Sequence, residues 1–221
     1  MEIKTVIFDL DGVIVSTDDC HYRAWKMMAD EEGIYFNRQI NERLRGISRM
    51  ESLEIILEKA MRHYKEEEKE IIATRKNEYY KELIKELTPS DILPGVGKIL
   101  GDLKEVGIKI AIGSSSKNSP IILKQIGLDA YFDAVADGND IKNSKPDPEV
   151  FLLAASRLDI EPGMCLVVED ADAGVEAALS AGMKVLGVGA ASTHKALNIS
   201  AKDLADITAQ EILNKYSIQL K

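Results

Sequence analysis

Short apolar runs alternate with helical patterns over most of this chain. The runs are only a few residues long and end at polar or turn-forming residues, a pattern typical of buried parallel strands. Because strands and helices alternate, we predict an open α/β sheet. The predicted strands are Ile3 to Phe8, Ile108 to Ile112, Ala134 to Ala136, Met164 to Val168 and Val185 to Val188.

Apolar stripes at helical spacing predict the helices between these strands. Asp147 followed by Pro148 predicts the start of one helix, because the first residue caps it and the second suits its first turn. Another helix is predicted from Asp172 to Ala181, where Gly182 ends it. The stripes comprise Val96, Ile99, Leu100, Leu103 and Val106 in an earlier helix and Phe151, Ala154, Ala155 and Leu158 after Asp147.

Residues 16–92 break the alternation and carry helical patterns only. Ser48 and Glu51 have the spacing of a capping box and predict a helix start. We therefore predict an all-helical cap domain over 16–92, inserted into a core domain of 1–15 and 93–221. The predicted apolar faces carry Leu53, Ile56, Leu57, Ala60, Met61 and Tyr64 in one helix and Ile72, Tyr79, Leu83 and Leu87 in a later one.

Polar side chains follow the predicted strands of the core. Asp9 and Asp11 follow the first strand, Ser114 follows the second, and Glu169 and Asp170 follow the run that begins at Met164. The carboxyl ends of parallel strands open into one crevice, where α/β proteins bind their ligands. We therefore expect these side chains to meet there.

A cluster of carboxylates needs a cation, because like charges repel one another. Oxygen ligands suit Mg²⁺, which is often shared with a substrate phosphate. The three histidines are scattered and predict no zinc site. Lys145, on a loop within reach of the crevice, adds positive charge. The sequence therefore predicts a magnesium site that also binds phosphate.

An aspartate in such a site can act as a covalent nucleophile, and Asp9 is the candidate. Ser114 and the amides after it, at a helix start, would hold the phosphoryl oxygens, and Lys145 would add a point charge. Each residue alone also has a structural interpretation: Asp9 as a turn residue, Ser114 to Ser116 as a helix N-cap, Lys145 as a solvated loop residue. Their recurrence at the ends of successive strands favours the functional interpretation.

The composition of the chain limits the kinds of partner and compartment that we expect for the protein. The chain has 221 residues, 45% hydrophobic and 29% charged, with a formal net charge of −9 that argues against non-specific nucleic-acid binding. Cys20 and Cys165 are too few for a disulfide framework. The first residues lead directly into a strand and no run is long enough to span a bilayer, so we expect no signal peptide, no membrane partner and a reducing cytoplasm.

Four motifs, in order, resemble those of the haloacid dehalogenase superfamily. Asp9-Leu10-Asp11-Gly12-Val13 is similar to its first motif, Ser114 to its second, Lys145-Pro146 to its third and Glu169-Asp170 to its fourth. The resemblance covers essentially the whole chain. It implies a Rossmann-like parallel-sheet core with an inserted helical cap domain that closes over it.

A narrower resemblance is to the β-phosphoglucomutase branch of that superfamily. It is carried by Thr17 to Trp25, Arg45 to Arg49, Arg75-Lys76-Asn77 and Ser114 to Asn118. The resemblance implies that Asp9 becomes phosphorylated and that Asp11 is the general acid/base for the sugar hydroxyl. It also implies a Mg²⁺ ion held by Asp9, the main-chain carbonyl of Asp11, Glu169 and Asp170.

The same resemblance implies which residues bind the two phosphates of the substrate and which residues serve the cap. Ser114 and Lys145 would bind the transferring phosphoryl group, and Thr17 would lie at the hinge. Arg49, Ser116 and Asn118 would bind the non-reacting phosphate. The further substrate and cap positions are His21, Trp25, Arg45, Gly46, Ser48 and Lys76. Independently of the family, His21 and Lys76 lie on apolar stripes, where a polar side chain either snorkels or points into a site.

Three positions depart from the branch's usual residues: Ser16 replaces an aspartate, Arg45 a lysine and Gly113 an alanine. None is a proposed nucleophile or metal ligand. Arginine and lysine are not equivalent where a sugar is bound, so Arg45 bears on the sugar preference.

We therefore predict a Mg²⁺-dependent, monomeric phosphomutase that interconverts β-D-glucose 1-phosphate and glucose 6-phosphate through an aspartyl phosphate and β-glucose 1,6-bisphosphate. A sugar-phosphate phosphatase of the same superfamily is the alternative; a dehalogenase and a non-catalytic sugar-phosphate binding module are further competitors. A serine hydrolase and a P-loop enzyme are disfavoured, since neither Gly-x-Ser-x-Gly nor Gly-x-x-x-x-Gly-Lys-Ser/Thr occurs.

Overall fold

A computed structural model describes residues 2–44, 47–197 and 199–216. The chain divides into two compact units: a core unit of Met1–Ser16 with Thr88–Lys221, and a helical unit of Thr17–Leu87. Residue 16 and residues 88–92, which the sequence pattern placed in the cap, thus fall in the core unit. The reason is local, because Val15 pairs with Ile92 and the Leu93 N–H donates to the Ile14 carbonyl.

The core unit contains a parallel sheet, which confirms the predicted α/β fold. Its strands are β1 (Thr5–Phe8), β2 (Lys109–Gly113), β3 (Ala134–Ala136), β4 (Cys165–Glu169), β5 (Lys184–Gly187) and β6 (Ile199–Ser200). The spatial order is β3-β2-β1-β4-β5-β6, with every neighbouring pair parallel. Strand β6 was not predicted, because two residues at a sheet edge give no periodic pattern.

Helices follow the strands of the core and make up the helical unit. Their bounds are α1 (Asp18–Glu31), α2 (Arg38–Glu42), α3 (Arg49–Leu57), α4 (Glu66–Ile84), α5 (Val96–Glu105), α6 (Ser119–Gln125), α7 (Glu149–Arg157), α8 (Asp172–Ser180) and α9 (Ala209–Tyr216). Among the helices of the described residues, none has both the length and the hydropathy needed to cross a membrane.

The apolar side chains of the core unit cover the sheet. Ile7 and Val167 point from β1 and β4 into a buried cluster with Phe151 of α7 and Val175 of α8. Successive strand residues face opposite sides, so Val6 and its counterparts on neighbouring strands lie on the other face of the sheet. Burial of both faces explains the continuous apolar runs in the sequence.

The helical unit has an apolar cluster of its own. Helix α1 packs on α4, and Trp25 and Met28 share the cluster with residues of α3 and α4. Ser48 and Glu51 form the predicted capping box at the start of α3. That helix ends at Leu57, however, so the predicted apolar face stops early and Met61 is fully exposed.

Candidate active site

The polar residues predicted at the strand ends meet at one edge of the sheet. Strand β1 lies between β2 and β4. From β1 the chain first forms β2 and β3 on one side, and then crosses back to form β4, β5 and β6 on the other side. The carboxyl end of such a central strand opens the crevice in which α/β proteins bind ligands. Asp9 directly follows β1, Ser114 follows β2, and Glu169 ends β4 with Asp170 next in the chain.

Three carboxylates crowd together at this edge. Ligand oxygens of Asp9, Glu169 and Asp170 all lie within 4.8 Å of one another. Burial, with the charge of Glu169, raises the pKa of Asp9 to about 7 even though Lys145 acts to lower it. Burial, with the charges of Asp9, Glu169 and Asp11, raises the pKa of Asp170 to about 8. The three carboxylates therefore carry more negative charge together than Lys145 and the other neighbouring groups neutralise.

Lys145 supplies the positive charge inside the cluster. Its Nζ lies 2.5 Å from Asp9 Oδ1 and 2.8 Å from Glu169 Oε2. Burial alone would lower the pKa of Lys145, but the two carboxylates outweigh it and raise the pKa above the ordinary lysine value. The ammonium also lies 4.5 Å from the centre of the Phe151 ring. Lys145 is therefore held against the candidate nucleophile as a cation whose side chain is only 10% exposed.

The donor set fits a magnesium ion. Three carboxylates face one ammonium, and the raised pKa values of Asp9 and Asp170 show that further positive charge would be stabilised there. Carboxylate oxygens are the ligands that Mg²⁺ prefers in proteins. Asp11 is half-buried beside this group, and its backbone N–H donates a hydrogen bond to the Asp9 carboxylate.

Two glycines allow the carboxylates to approach the backbone. Gly12 has a φ of 81°, and a Cβ placed on it would lie 2.1 Å from Asp170 Oδ2. A Cβ on Gly174 would lie 2.1 Å from Glu169 Oε2. Any side chain at either position would displace a carboxylate of the cluster.

The serine-rich loop after β2 differs from the predicted helix start. Helix α6 begins only at Ser119. Instead, Ser114 Oγ accepts a hydrogen bond from the Ser116 N–H, and Ser116 Oγ accepts one from the Asn118 N–H. Ser114 is buried and Ser116 half-buried, so the hydroxyls shape a compact turn at the end of the strand.

The candidate cap residues lie in the helical unit. Thr17 precedes α1, which carries His21 and Trp25, and Lys76 lies on α4. Ser48 caps α3, and Arg49, its first residue, donates from Nη2 to Asn77 Oδ1 at 3.0 Å. Arg45 and Gly46 lie outside the described residues.

Sequence analysis missed residues that support Lys145. Ser115 Oγ accepts a hydrogen bond from the Lys145 backbone N–H at 3.3 Å. Phe151 was assigned only to the apolar stripe of its helix, although its ring also lies beneath the Lys145 ammonium. The sequence offered one clue to this contact: Phe151 lies six residues after Lys145, near the start of a helix. The glycines at 12 and 174 gave no clue, because their role depends on contacts across the fold.

Comparisons with known proteins agree with this geometry. The model of the haloacid dehalogenase-like hydrolase family matches residues 3–182. The chain is 45% identical to the β-phosphoglucomutase of Bacillus subtilis, over 94% of this chain and 93% of that protein. It is 32% identical to a phosphorylated carbohydrates phosphatase of Thermotoga maritima, over 96% and 97%. The crystal structure of β-phosphoglucomutase from Clostridium difficile is similar with a TM-score of 0.87 and 44% identity, covering 97% of each chain.

Proposed function

Because the chain belongs to the haloacid dehalogenase-like hydrolase family, we propose that it is a phosphomutase that interconverts β-D-glucose 1-phosphate and glucose 6-phosphate. The observation that carries this proposal is the 45% identity to a β-phosphoglucomutase over nearly the full length of both chains. The carboxylate cluster supports phosphoryl transfer, but by itself it would suit a phosphatase equally well.

Asp9 is the proposed nucleophile. Its carboxylate oxygen attacks the phosphorus of β-glucose 1,6-bisphosphate, so that an Asp9–phosphorus bond forms and the bond from phosphorus to the sugar oxygen breaks. Asp11 gives a proton to that leaving oxygen. In the reverse sense Asp11 takes the proton from a sugar hydroxyl, which then attacks the aspartyl phosphate. Two such transfers, with the bisphosphate turned between them, move the phosphate between positions 1 and 6.

The proposed metal ligands are Asp9, Glu169, Asp170 and the main-chain carbonyl of Asp11. A Mg²⁺ ion bound there would neutralise charge on the transferring phosphoryl oxygens. Lys145, whose Nζ already lies 2.5 Å from Asp9 Oδ1, adds a second positive charge on the phosphoryl group. Its burial strengthens this electrostatic effect, because the charge is poorly screened by water.

The remaining roles follow the family resemblance. Ser114, with Lys145, binds the transferring phosphoryl group, and Thr17 is the hinge residue. We propose that the helical unit is a cap domain whose closure keeps water away from the aspartyl phosphate. Arg49, Ser116 and Asn118 bind the non-reacting phosphate, and His21, Trp25, Arg45, Gly46, Ser48 and Lys76 serve the sugar or the cap.

We also propose a monomer in a reducing cytoplasm, acting on a small sugar phosphate without nucleic acid. Cys165 is a free, buried thiol, which suits that compartment, and the net charge of −9 opposes nucleic-acid binding. Light scattering at working concentrations tests the monomer.

A sugar-phosphate phosphatase is the second candidate, because the Thermotoga maritima relative is named a phosphorylated carbohydrates phosphatase. The two functions share every core residue described above and differ in the acceptor of the phosphoryl group. The test supplies β-glucose 1-phosphate, Mg²⁺ and a trace of β-glucose 1,6-bisphosphate, and measures both products. Glucose 6-phosphate in excess over inorganic phosphate supports the mutase, whereas inorganic phosphate without glucose 6-phosphate identifies a phosphatase.

A further inference from the structure

Phe151 contacts both the end of strand β2 and the ammonium group of Lys145. It is the third residue of α7, its side chain is fully buried, and the centre of its ring lies 4.5 Å from Lys145 Nζ. On the other side the ring lies directly against Gly113, the last residue of β2. One aromatic side chain therefore joins the backbone at a strand end to the cation of the candidate site.

Gly113 is required for space, since its φ lies outside the left-handed region and its backbone would accept any residue. A Cβ at this position would lie 2.7 Å from Phe151 Cδ1, 2.9 Å from Phe151 Cε1 and 3.1 Å from Ile7 Cγ2. Carbon atoms in contact are ordinarily about 3.5–4.0 Å apart, so even a methyl group would overlap the ring. The ring is packed inside a buried apolar cluster and has no open space to enter. A larger residue at 113 must therefore displace Phe151 relative to Lys145.

The face of the Phe151 ring gives Lys145 a contact that does not depend on Asp9. Lys145 Nζ otherwise lies 2.5 Å from Asp9 Oδ1 and 2.8 Å from Glu169 Oε2. In the proposed reaction the Asp9 carboxylate becomes an acyl phosphate, so its contact with the ammonium must change. An aromatic face attracts a cation through its electron distribution, and phosphorylation of Asp9 leaves that attraction in place.

We propose that Gly113 and Phe151 are positioning residues for Lys145. Gly113 leaves room for the ring, and the face of the ring holds the ammonium where the transferring phosphoryl group is bound. The use of this ammonium in phosphoryl transfer rests on the proposed function, whereas its position over the ring does not. The two parts are therefore tested separately.

The position of the ammonium is tested without substrate. The full chain is labelled with ¹³C at the ε carbon of lysine, and the Lys145 signal is identified by its absence in Lys145→Met. Protons above an aromatic face are shifted upfield, so we expect the Lys145 ε protons upfield of those of Lys98, which is exposed. Phe151→Leu should remove this shift and Gly113→Ala should change it. A wild-type Lys145 signal at the position of the Lys98 signal would overturn the proposal.

Fluorinated phenylalanines at position 151 separate the electrostatics of the ring from its shape. One, two and three fluorines weaken the negative potential of the ring face step by step and add little volume. We expect the logarithm of the rate of Asp9 phosphorylation to fall along the series, by ~10-fold in total. A rate that stays constant along the series would show that the ring only fills space, and would overturn the proposal.

Two phosphoryl donors keep this test distinct from that of the proposed function. β-Glucose 1,6-bisphosphate is the donor of the proposed reaction, and acetyl phosphate contains no sugar, since it passes its phosphoryl group to a carboxylate and releases acetate. A loss along the series with acetyl phosphate supports the role of Phe151 whatever the sugar specificity. If glucose 6-phosphate never forms while this loss and the upfield shift are found, the proposed function alone is refuted.

The matched control places the same fluorinated residues at Phe36. This side chain is buried in the helical unit and stacks on Tyr22, with ring centres 5.7 Å apart. Phosphorylation rates should be unchanged there. Equal losses at positions 36 and 151 would overturn the proposal, because they would reflect a general effect of fluorination on packing.

A double-mutant cycle tests whether Gly113 acts through the ring. Gly113→Ala alone should slow phosphorylation of Asp9 several-fold, because it displaces Phe151. In the Phe151→Leu background the same alanine should cost clearly less, since the ring that it displaces is absent. Circular dichroism shows that each variant is folded. Additive effects of the two substitutions would show that Gly113 does not position Lys145 through Phe151.

Discussion

The core unit and the helical unit each hold a lysine side chain that is at most 10% exposed, but they stabilise it differently. Lys145 is paired with two carboxylates inside a cluster of three. Lys76 contacts an imidazole nitrogen and two aromatic faces. The first arrangement leaves an excess of negative charge, which raises carboxylate pKa values, whereas the second suppresses the charge of a histidine.

The difference teaches that burial alone does not determine protonation. In the core unit burial and neighbouring anions both favour protonated acids, so this region responds to pH and to cations near neutrality. In the helical unit burial and neighbouring cations both favour the neutral form of His21. The charge of His21 therefore does not change with pH in the same range. Changes in the core should therefore have the larger and more pH-dependent effects.

The largest effect is expected for Asp9→Asn. An amide is a far weaker nucleophile than a carboxylate, so kcat for glucose 6-phosphate formation should fall by at least ~10⁴-fold. Circular dichroism should show an unchanged fold, since the substitution removes one charge from a crowded cluster. Substantial turnover in carefully purified Asp9→Asn protein would refute the role of Asp9.

Lys145→Met is expected to have the next largest effect. It removes the cation that lies against Asp9 and Glu169, so kcat should fall by ~10²- to 10³-fold. The pKa of Asp9 should rise further above about 7, because Lys145 is a cause that lowers it. Steady-state kinetics measured against pH tests both effects, with Lys98→Met, an exposed residue paired with Asp102, as the control.

Magnesium binding should be strongly pH-dependent. The pKa values of about 7 for Asp9 and about 8 for Asp170 mean that protons occupy the metal-free site at neutral pH. Binding must release them, so the apparent affinity for Mg²⁺ should rise ~10-fold or more from about pH 6 to pH 8. Calorimetry in buffers of different ionisation enthalpy measures the released protons. A pH-independent affinity would contradict the proposed ligand set.

The stability of the metal-free protein should fall with rising pH. Both carboxyl groups have pKa values above their ordinary value of 3.8 in the folded protein. Between these pKa values the folded state therefore binds more protons than the unfolded state, so this contribution is lost progressively as the pH rises from 3.8 to about 8. Urea denaturation in the presence of a chelator should show the decline.

Asp170→Asn is the control for that decline. It removes one titrating group and one source of repulsion, so the dependence of stability on pH should become shallower. An equally steep decline in the variant would show that the carboxylate cluster is not its cause.

The smallest effect is expected in the helical unit. Tyr80→Phe removes the hydrogen bond to Thr17 but keeps the ring against His21. The free energy of unfolding should fall by about 1 kcal/mol, the usual net contribution of one neutral hydrogen bond. Urea denaturation measures it, and a change of several kcal/mol would mean that the hydroxyl does more than this bond.

The sequence predicted the strand ends well because each buried strand is a continuous apolar run that ends at a polar residue. The meeting of Asp9 with Glu169 and Asp170 followed from the parallel sheet alone. Periodicity likewise placed Lys76 on an apolar helical stripe but left open whether its side chain snorkels or points inward; the structure shows that it is buried.

Other features depended on contacts that periodicity cannot show. The exposed Met61 lay on a plausible apolar face, but its helix ends earlier, at Leu57. The close approach of Gly12 to Asp170 joins two distant parts of the chain. The pairing of Lys76 with His21 likewise joins residues 55 positions apart. Such contacts require the tertiary structure.

The most direct test of the central claim follows the phosphoryl group itself. The protein is incubated with Mg²⁺ and radiolabelled β-glucose 1,6-bisphosphate, quenched, and digested to locate the label, then chased with unlabelled β-glucose 1-phosphate. We predict label on the peptide that contains Asp9 and its transfer to the added sugar phosphate faster than to water. Label on another residue, or release as inorganic phosphate at a rate unaffected by the sugar phosphate, would contradict the account.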